Sequence, residues 1–182
     1  MRAYRAKRAA GDTEALPFAE SWATPRKADP AARRLLATAY SEHGKLPQAI
    51  EMYESLLDKA PDDVALLNNL AGLYGRTGNP RALVLAEKAA ALAPRAPAVL
   101  DTYGWLLVKQ GKYNEGLGML RNAHLRAPDV PEIRYHMAVA LEALGRVADA
   151  RREVGAALAY GRKFEGIDEA KALQQRLTRA GQ

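Results

Sequence analysis

The chain has 182 residues, of which 48% are hydrophobic and 26% charged, with a formal net charge of +6. This composition fits a folded domain with its own core and excludes a disordered chain. The sequence has no cysteine, which excludes disulfides and thiolate chemistry. No run of about 18 apolar residues occurs, so no membrane span is predicted. The basic residues form no stripe with interleaved aromatic residues, which argues against a nucleic-acid partner.

The N-terminal segment, residues 1–29, has the pattern of a degenerate or partial helix pair. The spacing predicts a first helix from Arg2 to Ala10, ended by Gly11. It predicts a second helix from Thr13 to Ala23, with Pro17 in the first turn, where its missing N–H costs little. A start in the middle of a repeat indicates that the sequence is a piece of a larger array.

From residue 30 onwards a helix pair recurs four times, with predicted boundaries at 30–63, 64–96, 97–130 and 131–161. The glycines predicted to end the first helix of each pair are Gly44, Gly78, Gly111 and Gly145. The prolines that stop the second helix are Pro61, Pro94 and Pro128. Glycine accepts the left-handed conformation that ends a helix, whereas proline cannot continue one. Helix pairs this short bury their apolar faces only by stacking on further copies, which predicts a repeat solenoid.

Small residues recur at fixed positions in every copy. In the first helices they are Ala37, Ala71, Gly104 and Ala138, and the second helices open with Ala49, Ala82, Gly116 and Ala150. Small residues that face each other let paired helices approach closely. Gly116 and Gly118 each cost a helix roughly 1 kcal/mol relative to alanine. We therefore expect both glycines to serve close packing against the neighbouring helix.

Residues 162–182 are predicted to form a C-terminal capping helix that begins at Lys163. Its apolar residues make one stripe among charged residues, namely Phe164, Ile167, Ala170, Leu173 and Leu177. Such a helix covers the open face of the last repeat and turns a polar surface outward.

The sequence resembles the tetratricopeptide repeat (TPR) in its period near 34 and in its recurring residue types, which in the first copy are Leu36-Ala37, Tyr40, Gly44, Ala49 and Pro61. The resemblance covers residues 30–161. It implies an all-α fold, a right-handed TPR superhelix (an α-α solenoid) of four regular hairpins.

Three segments carry a narrower likeness: ALLNNLAGLYGRTGNPRALVLAEKAAALAP, DTYGWLLVKQG and PEIRYHMAVALEALG. They are similar to the C-terminal repeats of the TPR lipoprotein that accompanies the exosortase/PEP-CTERM system and exopolysaccharide gene clusters in bacteria. This likeness implies a periplasmic or outer-membrane-associated location in the cell envelope. The lipoprotein signal of that family does not occur in this sequence, so the location rests on resemblance.

In the TPR family the first helices line a concave groove, and the resemblance implies which residues face it. The implied groove residues are Arg34, Thr38, Asn68, Asn69, Gly72, Asp101, Trp105, Val108, Glu132, Tyr135 and His136. Some family members clamp a C-terminal carboxylate with Lys, Asn and Arg side chains, and Arg34 and Asn69 match two of those positions. Ala98 and Thr102 stand where two cations are needed. The departure argues against such a clamp and leaves an internal peptide or an extended chain as the partner.

Trp105 has two interpretations: it stacks on a ligand side chain or sugar, or it folds over Gly72 and Gly75 between repeats. Tyr135 and His136 either extend the same strip or pack inward. Asn68 and Asn69 can hydrogen-bond a peptide backbone, or bond only solvent or a neighbouring repeat.

No catalytic constellation is found, because the three histidines fall in different repeats and no cysteine nucleophile or phosphate-binding loop occurs. We predict no catalytic residue, metal or cofactor. The sequence favours a non-enzymatic scaffold that binds a protein or peptide in exopolysaccharide assembly and export or exosortase-linked sorting. The alternative is a module that binds polysaccharide directly. For the oligomeric state, the sequence is compatible with a monomer and with a dimer that forms through the uncovered ends of the repeat stack.

Overall fold

The computed structural model describes residues 2–9, 13–26 and 28–179. These residues contain eleven α-helices, one short 3-10 helix and no strand, so the predicted all-α fold is confirmed. Ala10 and Gly11, the predicted end of the first helix, lie outside the described residues. None of the described helices is long and apolar enough to cross a membrane.

The chain divides into two compact units, Met1–Ala82 and Leu83–Gln182. The helices of the first unit are α1 (Arg2–Ala9), α2 (Ala15–Ala23), α3 (Pro30–Glu42), α4 (Leu46–Leu57) and α5 (Val64–Thr77). The 3-10 helix, Thr24–Arg26, follows α2. Each helix of this unit packs against the one before it, as expected where short turns join antiparallel neighbours.

The border between the units falls within α6 (Arg81–Leu92). The further helices of the second unit are α7 (Pro97–Lys109), α8 (Tyr113–Arg126), α9 (Pro131–Ala143), α10 (Val147–Ala159) and α11 (Ile167–Arg179). From α7 onwards each helix packs against the next, and α7 also contacts α9. Two helices fall within each of the four predicted copies, while the copy boundaries themselves stay a prediction.

Glycine ends the first helix of every predicted copy in the left-handed conformation. The four glycines, with φ between 71° and 79°, are Gly44, Gly78, Gly111 and Gly145. After each of them, the next residue donates its N–H to the carbonyl five positions earlier, over 2.9–3.0 Å. This is the hydrogen bond of the glycine C-cap, and the prediction from the glycine spacing is confirmed.

The small residues at the helix contacts are buried. A Cβ atom on Gly116 would lie 2.7 Å from the carbonyl oxygen of Gly104 and 2.7 Å from Cγ2 of Val108. A Cβ atom on Gly104 would lie 2.9 Å from Cγ of Leu120. These distances confirm close packing as the reason for Gly116. For Gly118 the same prediction is wrong, since a Cβ atom there would meet nothing within 4 Å, and nothing in the structure explains this glycine.

A tyrosine near the end of the first helix joins it to the preceding second helix in two copies. The Tyr74 hydroxyl donates to Oε1 of Glu54, and Arg81 lies 3.6 Å from the same carboxylate. Burial and this glutamate raise the pKa of Tyr74 to about 12. Burial and Glu20 likewise raise the pKa of Tyr40. We call these two pairs the tyrosine–glutamate joints.

The C-terminal helix is shorter than predicted. It begins at Ile167 and not at Lys163, because Gly166 adopts a φ of 88° that breaks the helical path. Ala170, Leu173 and Leu177 are buried, and α11 packs against α10. The polar residues of α11 stay outside, as a capping helix requires.

The two helical glycines of α8 offer a matched pair of substitutions. We expect Gly116→Ala to destabilise the protein by about 1–3 kcal/mol, because the new methyl group collides with backbone and with Val108. Gly118→Ala should stabilise it by up to about 1 kcal/mol, since alanine forms helix better and finds open space. Urea unfolding of both variants measures the difference, and equal effects would contradict the packing described for α7 and α8.

Candidate functional site

A chain of hydrogen bonds crosses three helices of the first unit. Asn69 on α5 donates to the Tyr53 hydroxyl on α4 over 3.2 Å, and that hydroxyl lies 2.9 Å from Oγ1 of Thr38 on α3. Thr38 donates its own proton to the carbonyl of Arg34, over 2.9 Å, so Tyr53 is the donor to Thr38. Burial raises the pKa of Tyr53. Two implied groove residues, Thr38 and Asn69, are thus tied to a buried tyrosine that the sequence did not single out.

Arg34 is held by the N-cap of the next first helix. Its guanidinium group contacts both carboxylate oxygens of Asp63, with nitrogen–oxygen distances of 2.9 and 3.3 Å. Asp63 also accepts from the N–H of Leu66 over 3.0 Å, which caps α5. The hydrogen bond from Arg34, followed by the backbone N–H groups, lowers the pKa of Asp63. Both residues that match the carboxylate clamp, Arg34 and Asn69, are therefore engaged within the protein.

Two other implied groove residues of the first unit lie on α5. The Oδ1 atom of Asn68 is buried and has no hydrogen-bond partner among the described residues. Gly72 borders open space, because a Cβ atom there would meet nothing within 4 Å. The predicted contact of Trp105 with Gly72 and Gly75 joins residues of the two units and stays a prediction.

In the second unit, ring stacking joins two first helices. The indole of Trp105 on α7 and the imidazole of His136 on α9 are stacked, with centroids 4.2 Å apart and an interplanar angle of 12°. Nζ of Lys109, one turn after Trp105, lies 5.8 Å from the indole centroid. One face of Trp105 is therefore covered by His136.

His136 is also held by a carboxylate. Its Nδ1 lies 2.7 Å from Oδ1 of Asp101, which stands one turn before Trp105 on α7. The side chains of His136 and Asp101 are 13% and 18% exposed. The structure thus brings three implied groove residues, Asp101, Trp105 and His136, into one contact set, which we call the α7–α9 cluster.

Tyr135 packs inward. It is 8% exposed, its ring centroid lies 6.3 Å from that of Phe164, and a Cβ atom on Gly166 would lie 2.7 Å from its Cε1. Burial raises the pKa of its hydroxyl. The C-terminal segment therefore covers Tyr135, which corrects its interpretation as a stacking surface. Val108 is likewise buried, beside Gly116, and does not line a groove.

The remaining polar candidates show no catalytic arrangement. Nδ1 of His43 lies 2.8 Å from the carbonyl oxygen of Ala39, and burial lowers the pKa of His124. Glu132 borders a surface pocket that includes Arg162 and Lys163. The described residues hold no group of three or more His, Asp or Glu side chains placed to bind a metal ion.

The helix pairs, glycine turns and alanine contacts are those of a helical-repeat protein. Residues 30–73 and 107–177 match family profiles described as tetratricopeptide repeat. Together with the fold, these matches identify the chain as a tetratricopeptide-repeat protein. Such proteins are generally non-enzymatic scaffolds for protein interactions.

A TPR repeat-containing protein of Pseudomonas aeruginosa is 39% identical to this chain over 86 residues. The match covers 45% of this chain and 14% of that protein, so the chain spans a small part of the length of this relative.

Solved structures share the fold over most of the chain. A thermophilic TPR protein of Thermus thermophilus has a TM-score of 0.77 and 23% identity, covering 98% of this chain and 95% of its own. PilW, a type IV pilus biogenesis factor, has a TM-score of 0.77 and 18% identity, with 98% and 83% covered. YrrB, a TPR protein with an unusual peptide-binding site, has a TM-score of 0.59 and 17% identity, with 86% and 82% covered. At these identities the likeness establishes the fold.

The pair of Arg34 and Asp63 predicts a pH-dependent contribution to stability. A lowered pKa in the folded state means that the ionised carboxylate stabilises the protein above the ordinary value of 3.8, and that this is lost as the pH falls further. We expect Asp63→Ala to cost about 1 kcal/mol near neutral pH, and the cost to shrink below about pH 4. Urea unfolding at several pH values measures it.

Asp58→Ala is the matched control, because Asp58 is an exposed aspartate of the same unit at the C-terminal end of α4. A negative charge is unfavourable there, so this variant should be no less stable than the wild type. A cost for Asp63→Ala that is the same at neutral and acidic pH would refute the role of its carboxylate.

Proposed function

We propose that this protein is a non-enzymatic scaffold that binds an extended peptide segment of a partner protein along the first helices of the second unit. The α7–α9 cluster supports the proposal. It places an aromatic ring, an imidazole and a carboxylate on two adjacent first helices, partly exposed and fixed by mutual contacts. Side chains that are already ordered lose little conformational entropy when a partner binds.

The chemistry of the cluster suits a peptide. An amphipathic ring such as that of Trp105 supplies buried area in the centre of protein interfaces. Asp101 and His136 add hydrogen-bonding groups beside this ring. Because Arg34 and Asn69 of the first unit are engaged internally, no support comes from a carboxylate clamp, and an internal segment is the proposed ligand.

A narrower proposal places the scaffold in exopolysaccharide assembly and export or in exosortase-linked protein sorting, at the cell envelope. Its support is the sequence likeness of three segments to the TPR lipoprotein of that system. The genes that flank the full-length reading frame test it, together with purification of the tagged full-length protein from its own cells. An exosortase or glycosyltransferase gene nearby and a copurifying envelope protein are expected, and the absence of both would count against this role.

Direct binding of polysaccharide is the alternative, and one observation counts against it. A sugar stacks on an open aromatic face, but the ring of Tyr135, the second aromatic residue proposed for such a site, is buried. Tryptophan fluorescence with exopolysaccharide fragments checks this alternative. A saturable change at millimolar sugar that is lost in Trp105→Ala would revive it.

Binding of peptides selected from a random-peptide phage library tests the scaffold. We expect selected peptides to bind Trp105→Ala at least about tenfold more weakly than the wild type, because truncation of an aromatic hot-spot residue costs about 2 kcal/mol or more. Isothermal titration calorimetry gives the affinities. Leu125→Ala is the matched control, since Leu125 is a large apolar residue of the same unit, 78% exposed on the second helix α8.

Circular dichroism establishes that both variants keep their helix content before the affinities are compared. Equal affinity of the wild type and Trp105→Ala for every selected peptide would remove the α7–α9 cluster from the binding surface.

A further inference from the structure

We propose that Asp101 and His136 form a preset hydrogen-bond acceptor, in which Nε2 of His136 accepts a backbone N–H of the bound peptide and Asp101 is the positioning residue. This inference rests on the proposed function and adds the recognition chemistry of the same site.

The carboxylate decides where the imidazole carries its proton. An ionised carboxylate only accepts hydrogen bonds, so the contact of 2.7 Å between Oδ1 of Asp101 and Nδ1 of His136 is an Nδ1–H donor to a carboxylate acceptor. The hydrogen bond at one ring nitrogen fixes the tautomer. In the neutral ring, the lone pair is therefore on Nε2.

The ring plane is fixed as well as the tautomer. Trp105 stacks on the imidazole face at 4.2 Å, and the tilted ring of Tyr135 lies 5.6 Å away. Contacts at an edge and at a face leave the imidazole little freedom to turn. The direction of the Nε2 lone pair is thus set before any partner arrives, which lowers the entropic cost of binding.

The lone pair is also accessible. In the described part of the chain, the buried side-chain polar atoms without a partner are Asn68 Oδ1, His124 Nδ1 and Arg134 Nε. Nε2 of His136 is not one of them, and the only hydrogen bond of the ring among the described residues is that of Nδ1. Nε2 therefore touches solvent, on a side chain that is 13% exposed.

The acceptor selects the ligand. The lone pair of Nε2 pairs with a donor and not with another acceptor, which disfavours acidic side chains and a terminal carboxylate. A main-chain N–H is a donor present in nearly every residue of an extended peptide. The site accordingly recognises an extended segment through its backbone, with Trp105 beside it to contact a side chain.

Nitrogen NMR of the imidazole tests the tautomer without any ligand. In the full chain labelled with nitrogen-15, we expect Nδ1 of His136 to carry a proton at neutral pH and Nε2 to carry none. Asp101→Ala should shift the population toward the Nε2–H form. Asp149→Ala, which removes a carboxylate of the same unit that is 26% exposed and paired with Arg146 and Arg152, should leave the His136 signals unchanged. A proton on Nε2 in the wild-type protein at neutral pH would overturn the proposal.

Binding of the phage-selected peptides tests the acceptor itself. His136→Phe keeps a ring to stack on Trp105 but removes the acceptor, and should weaken binding about tenfold, the typical effect of leaving a donor unpaired. Peptides N-methylated at one backbone position at a time provide the second measurement. N-methylation at one backbone position should weaken binding to the wild type about tenfold, and should not weaken binding to His136→Phe any further. Asp149→Ala should respond as the wild type does.

The outcomes separate the two proposals. The acceptor is refuted if peptide binding depends on Trp105 but not on His136. It is also refuted if N-methylation weakens binding to the wild type and to His136→Phe equally. In both cases the proposed scaffold function is retained. If no peptide binds in a manner that depends on Trp105, the proposed function and the acceptor both fail.

Discussion

The structure depends on the close approach of paired helices at sites where only a very small side chain fits. Between α7 and α8 the separation is so small that a single methyl group on Gly116 would overlap a carbonyl oxygen at 2.7 Å. At the equivalent sites Ala49 and Ala150 are completely buried. Because dense packing transmits any displacement, this separation also sets the spacing between successive first helices. The stacking of Trp105 on His136 joins two of these first helices, α7 and α9.

Charged groups bind their partners both at helix ends and within helices, and the candidate site is of the second kind. Asp63 caps α5 and binds Arg34, so the pair satisfies backbone groups that a helix start leaves open. Asp101, by contrast, stands within α7 and binds an imidazole on another helix. A carboxylate in that position contributes nothing to capping. Its effect is to orient the ring, which is why the cluster, and not the Arg34 pair, is the candidate for recognition.

Features that depend on local sequence were predictable. Glycine at intervals near 34 predicted the four left-handed turns. Contacts made by distant segments were not predictable. The burial of Tyr135 depends on Gly166, where the chain turns before the final helix begins, and on Phe164, which packs against the ring. The hydrogen bonds of Tyr53 and the contact of Lys109 with Trp105 were not predicted. Their partners lie on another helix or one turn away, and periodicity alone does not show which of the many possible pairs are in contact.

The tyrosine–glutamate joints make the two units respond differently to alkaline solution. With a pKa raised to about 12, the Tyr74 hydroxyl keeps its proton in the folded state after tyrosines of an unfolded chain have lost theirs near pH 10. The joint is therefore fully stabilising below about pH 10, and this contribution disappears as the pH rises toward 12, where two anions would face each other. The corresponding residues of the second unit are leucines, Leu107 and Leu141, which do not titrate. Strong base should therefore break the contacts of the first unit at Tyr74 and Tyr40, whereas in the second unit the tyrosine that base would ionise at the core is the buried Tyr135.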